Sequence, residues 1–337
     1  MIPKRVAVII PTYNEEHFIG ACLDSVLSQS FPSEDMDIMV VDGRSHDKTR
    51  EVVSQYIKRF PNIRLLDNPK KIQSAAFNIG VRNSESPYIV RLDAHALYGQ
   101  QYIENCVKHL ERSDNYGNVG GVWIIKPQNS SFQAQANAIL NQLKFGIGGA
   151  SFRIGSGLKE VETVPFGAFP RGVIEKIGMM REDLPRGEDN EYNSRIRKKG
   201  FKILLDPNIV STYFARPTLW KSVIQMYRNG LSIGWLFHID MDSISIRHLI
   251  PLCFVLSLIV TTLISCIFPI VWFLPLILLA IYFIAAIIAS VGACHKFGYK
   301  YFFILPIMFF CIHIAYGYGT IIGLMRRPKL HNIASDT

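Results

Sequence analysis

The stretch VAVIIPTYNEEHFIGACLDSVLSQS, residues 6–30, changes character twice. Its first six residues, VAVIIP (6–11), are an apolar, β-branched run and predict a buried strand. A polar tip follows. Residues 15–30 then carry apolar side chains at helical spacing and predict an amphipathic helix. The pattern repeats downstream. DIMVVD (37–42) predicts a strand and a helix is expected near 47–60; IRLLDN (63–68), a helix near 72–83 and YIVRLDA (88–94) continue it. Strands alternating with helices predict βαβ units, hence a parallel sheet wrapped by helices.

Ligands of such sheets bind at the carboxyl ends of the strands. Strand one ends in Thr12-Tyr13-Asn14-Glu15, strand two in Asp42-Gly43, and the fourth in Asp93-Ala94-His95. One strand-end aspartate is an ordinary turn former. Three polar tips on one rim predict a site. On an extended chain residues i and i+2 point the same way, so Asp93 and His95 are expected to face one divalent cation. Imidazole with carboxylate suits Mn²⁺ better than the all-oxygen shell that Mg²⁺ prefers. Two protein ligands suffice if a diphosphate supplies further oxygens. A P-loop lysine motif and a GxGxxG after strand one are both absent, which removes the main support for ATPase and dinucleotide-binding readings.

The chain has 337 residues, with 36 Lys and Arg against 27 Asp and Glu, a net charge of +9. That balance suits nucleic acid, an anionic membrane or a phosphorylated ligand. Residues 249–294 and 301–325 contain no Asp, Glu, Lys or Arg. About 20 apolar residues cross a bilayer, so the first run predicts two membrane helices turning near Pro269–Pro275 and the second predicts a third. Membrane attachment favours lipid headgroups over nucleic acid as partner of the basic surface. The opening MIPKRVAVIIPTYNEE has an apolar run too short for a signal peptide. Residues 1–215 are therefore expected in the cytosol, and the six cysteines, without metal-site spacing, as small hydrophobes in a reducing compartment.

Between these regions the sequence is less regular. NVGGVWIIKP (118–127) predicts a strand and a polar helix is expected near 131–145; FGIGGASFRIGSG (145–157) reads as a glycine-rich loop. Residues 188–199 read as a helix opened by Glu188, Asp189 and Glu191, closed by Arg195, Arg197, Lys198 and Lys199, and capped at Gly200. Residues 216–237 are amphipathic, with Trp220, Trp235 and Phe237 among Lys221 and Arg228, as in an interfacial helix. Lys70 and Lys71 follow strand three, where phosphate contact and a solvated surface pair are equally open.

VIIPTYNEE, VVDGRSHDKT, RLDAHA, FGAFPR and GEDNEYNSRIRKKG, in this order, resemble the family 2 inverting glycosyltransferases of GT-A fold, closest to the succinoglycan-biosynthesis glucosyltransferase type, which carries DAH in place of DxD and has C-terminal membrane helices. The resemblance implies roles. Pro11, Thr12, Tyr13 and Glu15 would form the pocket for base and ribose, and Asp42 would read the uracil edge. Asp93 would sit by ribose and metal, with His95 as direct metal ligand. Asp189 matches the catalytic base of the family's ED motif. A helix N-terminus favours its ionised form, and a carboxylate beside the acceptor hydroxyl can take its proton. Without the resemblance, helix capping is the favoured reading of Glu188 and Asp189. Gln225 and Arg228 match QxxRW, with Asn229 in place of the tryptophan. Arg228 would clamp the leaving diphosphate, where lipid snorkelling is the alternative. The missing tryptophan, and the lack of membrane helices before the catalytic region, argue against a processive synthase.

The expected protein is thus a membrane-attached inverting glycosyltransferase using Mn²⁺ or Mg²⁺. It would move sugar from a UDP-sugar to a polyprenyl-diphosphate-linked saccharide in exopolysaccharide or O-antigen assembly. Direct transfer to polyprenyl phosphate, a non-catalytic membrane scaffold and a sugar transporter are the competing readings. The expected parts are a GT-A catalytic domain at 1–215, interfacial helices at 216–248, about three transmembrane helices at 249–325 and a tail at 326–337. The catalytic domain would face the cytosol at the inner membrane. Two crossings return Lys296 and Lys300 to the cytosolic side, as the positive-inside rule asks; a third places Arg326, Arg327 and Lys329 outside, against it. Three crossings are nonetheless expected, with Pro306, His313, Gly317 and Gly319 marking a segment that can instead re-enter.

Overall fold

The computed structural model describes residues 3–155 and 157–327; Lys329 and residues 328–337 of the expected tail lie outside the described residues. Contacts divide the chain into two units, Met1–Ile124 with Gly155–Tyr213, and Ile125–Ile154 with Phe214–Pro328. Residues 125–154, expected within the catalytic region 1–215, belong to the second unit.

The first unit is built on β1 (Val6–Thr12), β2 (Met36–Asp42), β3 (Ile63–Asp67), β4 (Tyr88–Arg91), β5 (Ala96–Tyr98), β6 (Tyr116–Pro127), β7 (Lys159–Glu160), β8 (Ala168–Pro170) and β9 (Lys202–Ala215). They form one sheet in the order β3-β2-β1-β4-β8-β6-β9-β5, with β7 beside β9. The first four are parallel, as the alternating pattern predicts. Every residue of β1 is buried. Sheets covered on both faces need such continuous apolar strands. β8 then joins β4 antiparallel, which turns the sheet from parallel to mixed.

Two local expectations change. The strand expected at 88–94 stops at Arg91, and Asp93, Ala94 and His95 lie in a turn before β5. They are not an extended i, i+2 pair, so that argument for a shared cation does not hold as drawn. The loop expected at 145–157 contains two single-turn helices, Lys144–Ile147 and Ser151–Ile154, parted by a left-handed Gly148; its Ser156 lies outside the described residues.

In the second unit Phe132–Leu140 and Leu219–Ile239 accompany three helices long and apolar enough to cross a membrane: Ile246–Ile267, Leu274–Phe297 (preceded by a 3₁₀ turn at Pro269–Val271) and Ile304–Met325. The chain is expected to stay with membranes through an alkaline carbonate wash. Its recovery in the soluble fraction would rule out spanning helices.

Candidate active site

The parallel register gathers the strand tips. Thr12 stands opposite Asp42, and Asp42 opposite Asp67. On the other side of β1, Ile9 pairs with Arg91, so Asp93–His95 emerge level with the end of β1. The residue just past the tip of β1, Asn14, has φ 53°; Arg44 after β2 has φ 60°, and Lys71 after β3 has φ 58°. Left-handed backbone is uncommon for residues other than glycine and collects at functional sites. Here three such residues share one rim.

Asp42 is fully buried, and its carboxylate accepts from the Ser45 amide at 3.0 Å, from the Ser45 hydroxyl and from Arg50 Nη1 at 2.8 Å. Arg50 Nη1 also reaches Asp67 Oδ1 at 2.7 Å. The bonds of Asp42 thus order the loop after β2, and Asp67 (60% of its side chain exposed) is the accessible carboxylate beside it. That loop is laced to the tip of β1. Asn14 N donates to Ser45 Oγ and Glu15 N to Thr49 Oγ1, both at 2.8 Å, and His46 N donates to Asn14 Oδ1 at 3.0 Å. Pro11 and Thr12 are buried, and Thr12 Oγ1 donates back to Ile10 O. They therefore offer the site backbone rather than side chain. The Tyr13 ring packs against Gly43 and lies 5.2 Å from Lys71 Nζ.

At the β4 end, the Tyr98 hydroxyl donates to Asp93 O and accepts from Asp93 N, pinning the turn. His95 Nδ1 meets Glu15 Oε1 at 3.1 Å. A carboxylate on one ring nitrogen orients a histidine to bind metal with the other, so a ligand role for His95 falls to Nε2. Among the described residues no three His, Cys, Asp or Glu side chains converge as a metal cluster. The donor set of Asp93 and His95 fits a divalent cation that takes its remaining oxygens from a bound diphosphate.

Arg91, which sequence reasoning missed, is the hub. Its side chain is 4% exposed. Nη1 pairs with Asp189 Oδ1, while Nη2 donates to Gln73 Oε1 at 2.9 Å and to Asp93 Oδ1 at 3.2 Å, with Glu188 Oε1 at 3.7 Å. So Arg91 joins the β4 tip to the start of the helix Glu188–Lys198, about a hundred residues away in sequence. That helix opens after a left-handed Gly187 with no side-chain cap and closes before Gly200, the expected stop. Glu188 and Asp189 therefore do not cap it. Burial, and then the charge of Asp189, push the Glu188 carboxyl up to about 7. Burial also raises Asp189 above its ordinary range; Arg91 opposes that shift and Asp93 adds to it. Asp189 keeps 39% of its side chain exposed. Gln225 and Arg228 lie on Leu219–Ile239 in the second unit, both half-buried, and their expected roles rest on the sequence alone.

A mixed sheet whose parallel strands end in acidic tips, with a carboxylate held over them, fits the frame of a glycosyltransferase. Residues 7–178 match the model of glycosyl transferase family 2. The chain is 30% identical over 331 residues to a dolichyl N-acetyl-α-D-glucosaminyl phosphate 3-β-D-2,3-diacetamido-2,3-dideoxy-β-D-glucuronosyltransferase of Methanococcus voltae, covering 95% of this chain and 97% of the relative. It is 28% identical over 253 residues to the succinoglycan biosynthesis protein ExoA of Rhizobium meliloti, covering 73% and 74%. A mannosyltransferase from Pyrobaculum calidifontis, solved with GDP-Man and Mn²⁺, has a similar fold, with a TM-score of 0.60 over 95% of this chain and 87% of that one at 19% identity. The chain belongs to glycosyl transferase family 2 and is a glycosyltransferase of GT-A fold.

Proposed function

We propose that the enzyme transfers a sugar, with inversion, from a UDP-sugar to a saccharide carried on a polyprenyl phosphate or diphosphate, working at the cytosolic face of the inner membrane. The observation that carries this reading is the single cluster of Asp93, Arg91, Glu188 and Asp189 at the strand tips. The lipid-linked acceptor is supported by the Methanococcus voltae relative, whose name specifies a dolichyl phosphate-linked sugar.

The donor lies across the tips, with its nucleoside against the rim of Pro11, Thr12, Tyr13 and Glu15. Asp42 holds the floor of that rim and Asp67 edges it. Asp93 and His95 would hold the divalent cation, which when bound would supply positive charge to the departing diphosphate. Asp189 takes the proton of the acceptor hydroxyl as that oxygen attacks C1 of the sugar. The C1–oxygen bond to the diphosphate breaks as the new bond forms on the opposite face, so an α-linked donor gives a β-linked product. Arg91 holds the Asp189 carboxylate in position. The base must be ionised, so turnover falls as pH drops through the raised value of Asp189.

The test is transfer from a panel of nucleotide sugars to a polyprenyl-linked saccharide in EDTA, Mn²⁺ and Mg²⁺. We expect a UDP-sugar to be used, EDTA to abolish transfer and Mn²⁺ to restore it. His95→Ala should lower Mn²⁺ affinity, read by the electron spin resonance of the bound ion, with an unchanged circular dichroism spectrum. Full activity in chelator, or transfer only from a GDP-sugar, would overturn the respective part of this reading.

A further inference from the structure

Among the described residues three helices have the length to span a bilayer, yet their packing within the second unit separates one from the other two. Helices Leu219–Ile239 and Ile304–Met325 lie against each other through glycines. A Cβ at Gly230 or Gly234 would stand 2.0 or 2.5 Å from the carbonyl of Tyr316 or Thr320, and one at Gly319 or Gly323 would stand 2.2 Å from that of Tyr227 or Leu231. At the far end His238 Nε2 donates to Leu324 O at 2.8 Å. Residue 227 meets 319, 231 meets 323 and 238 meets 324, so the two helices run parallel and finish together.

Connectivity then fixes where both finish. Only Asp240–Ser245 part Ile239 from the span that begins at Ile246, and three of those six residues form a 3₁₀ turn. Six residues reach at most about 20 Å even when extended, and a bilayer core is about 30 Å thick. Asp240 and Asp242 within that linker also need water or headgroups. The end of Ile304–Met325 is therefore on the side where the first span starts. Its beginning is on that side too. Ile246–Ile267 and Leu274–Phe297 form a hairpin that returns the chain, and only residues 298–303, again containing a 3₁₀ turn, precede Ile304. A third contact agrees. A Cβ at Gly317 would lie 2.4 Å from Pro251 O, and Pro251 is five residues, about 7.5 Å, into the first span. The middle of Ile304–Met325 thus meets the first span within its first half, at Pro251 and, through Phe310, at Phe254, and His313 meets Tyr282 of the second at 2.8 Å.

We propose that only the hairpin crosses the bilayer, and that Ile304–Met325 and Leu219–Ile239 lie together as a pair in the leaflet on the catalytic side, without crossing. Their partner is the lipid surface. Trp220, Phe303, Ile307, Tyr318 and Met325, each more than half exposed, are the apolar anchors. The charges agree. The second unit holds eleven Lys and Arg against two acids, so the chain's entire net charge of +9 resides there. With two crossings, the only part left on the far side is the uncharged turn of the hairpin, residues 268–273, and the positive-inside rule is met throughout. Three crossings would carry Arg326 and Arg327 across. Nearly half (44%) of the apolar stretch of Ile304–Met325 is covered by protein, against 11% and 6% for the two hairpin helices, whose sides are left to lipid.

Protease access in sealed inverted membrane vesicles decides the matter for the full-length chain. Epitope tags before Met1 and after Thr337 should be cleaved together, while a tag between Ile270 and Val271 should be protected until detergent is added. A C-terminal tag protected while the N-terminal tag is cleaved would overturn the proposal. The two terminal tags decide alone if the internal tag disturbs insertion, and neither outcome depends on the sugar transferred.

Discussion

Replacing Asp189 by asparagine should leave UDP-sugar binding near wild type and lower turnover by about 10²–10⁴-fold, the range general-base catalysis supplies. The amide has nearly the size of the carboxylate but cannot take a proton at neutral pH. A capping role would predict another result, because asparagine caps a helix about as well as aspartate does. The geometry already weighs against capping, since the N-cap is Gly187 and no side chain bonds the helix amides there. The substitution also weakens the pairing with Arg91, so folding should be checked by thermal denaturation in the same preparation. Donor affinity and single-turnover rate of one purified sample separate the roles. Near-normal turnover would remove Asp189 from the chemistry.

Part of this site was legible because the parallel strands and the polar tips of the first two follow from pattern. The apolar runs at β1 and β2 give parallel strands in register, and the register alone puts Thr12, Asp42 and Asp67 side by side. Glu188 and Asp189 stood out as acids opening a helix that Gly200 closes. What stayed hidden depends on tertiary contact. Arg50 bridges Asp42 and Asp67 from a helix whose sequence shows only a surface basic residue. Arg91 did leave a signal: a cation inside YIVRLD, a strand flanked on both sides, has to be paired if it is buried. The sequence does not say with what. The turn at Asp93–His95 escaped because β4 ends where β8 stops pairing with it, and β8 comes some eighty residues later. The helix near 131–145 was legible, but not that it belongs to the second unit. Ala134, Ala136 and Ala138 are buried on different sides of that helix, and their composition does not reveal which unit it joins.

Replacing Arg91 by methionine should destabilise the protein by about 3–5 kcal/mol near pH 8, the usual cost of stranding buried charge. At roughly 2–4 °C per kcal/mol for units of this size, the midpoint of thermal unfolding should fall by roughly 10 °C. Methionine keeps most of the volume, so lost packing accounts for little of this. The loss comes from Asp93, Glu188 and Asp189, which would share a largely buried site without their common cation. The sign of the pH dependence follows. Glu188 titrates at about 7 in the folded protein, above its ordinary value. A carboxyl raised on folding holds its proton more tightly folded than unfolded. Its stabilising contribution is complete below the unfolded value and is lost as pH rises through about 7. Removing Arg91 deletes a charge that lowers Glu188 and Asp189, so both shift further upward. Protonation then relieves the repulsion, and the deficit of the variant should shrink steadily from pH 8 to pH 5. Arg91→Lys, which keeps a charge but cannot fork between Asp189 and Asp93, should fall between the two. Unfolding of the three proteins across this range is the measurement. A deficit of equal size at pH 5 and pH 8 would mean that Arg91 acts through packing, and that the three carboxylates do not depend on it for their charge.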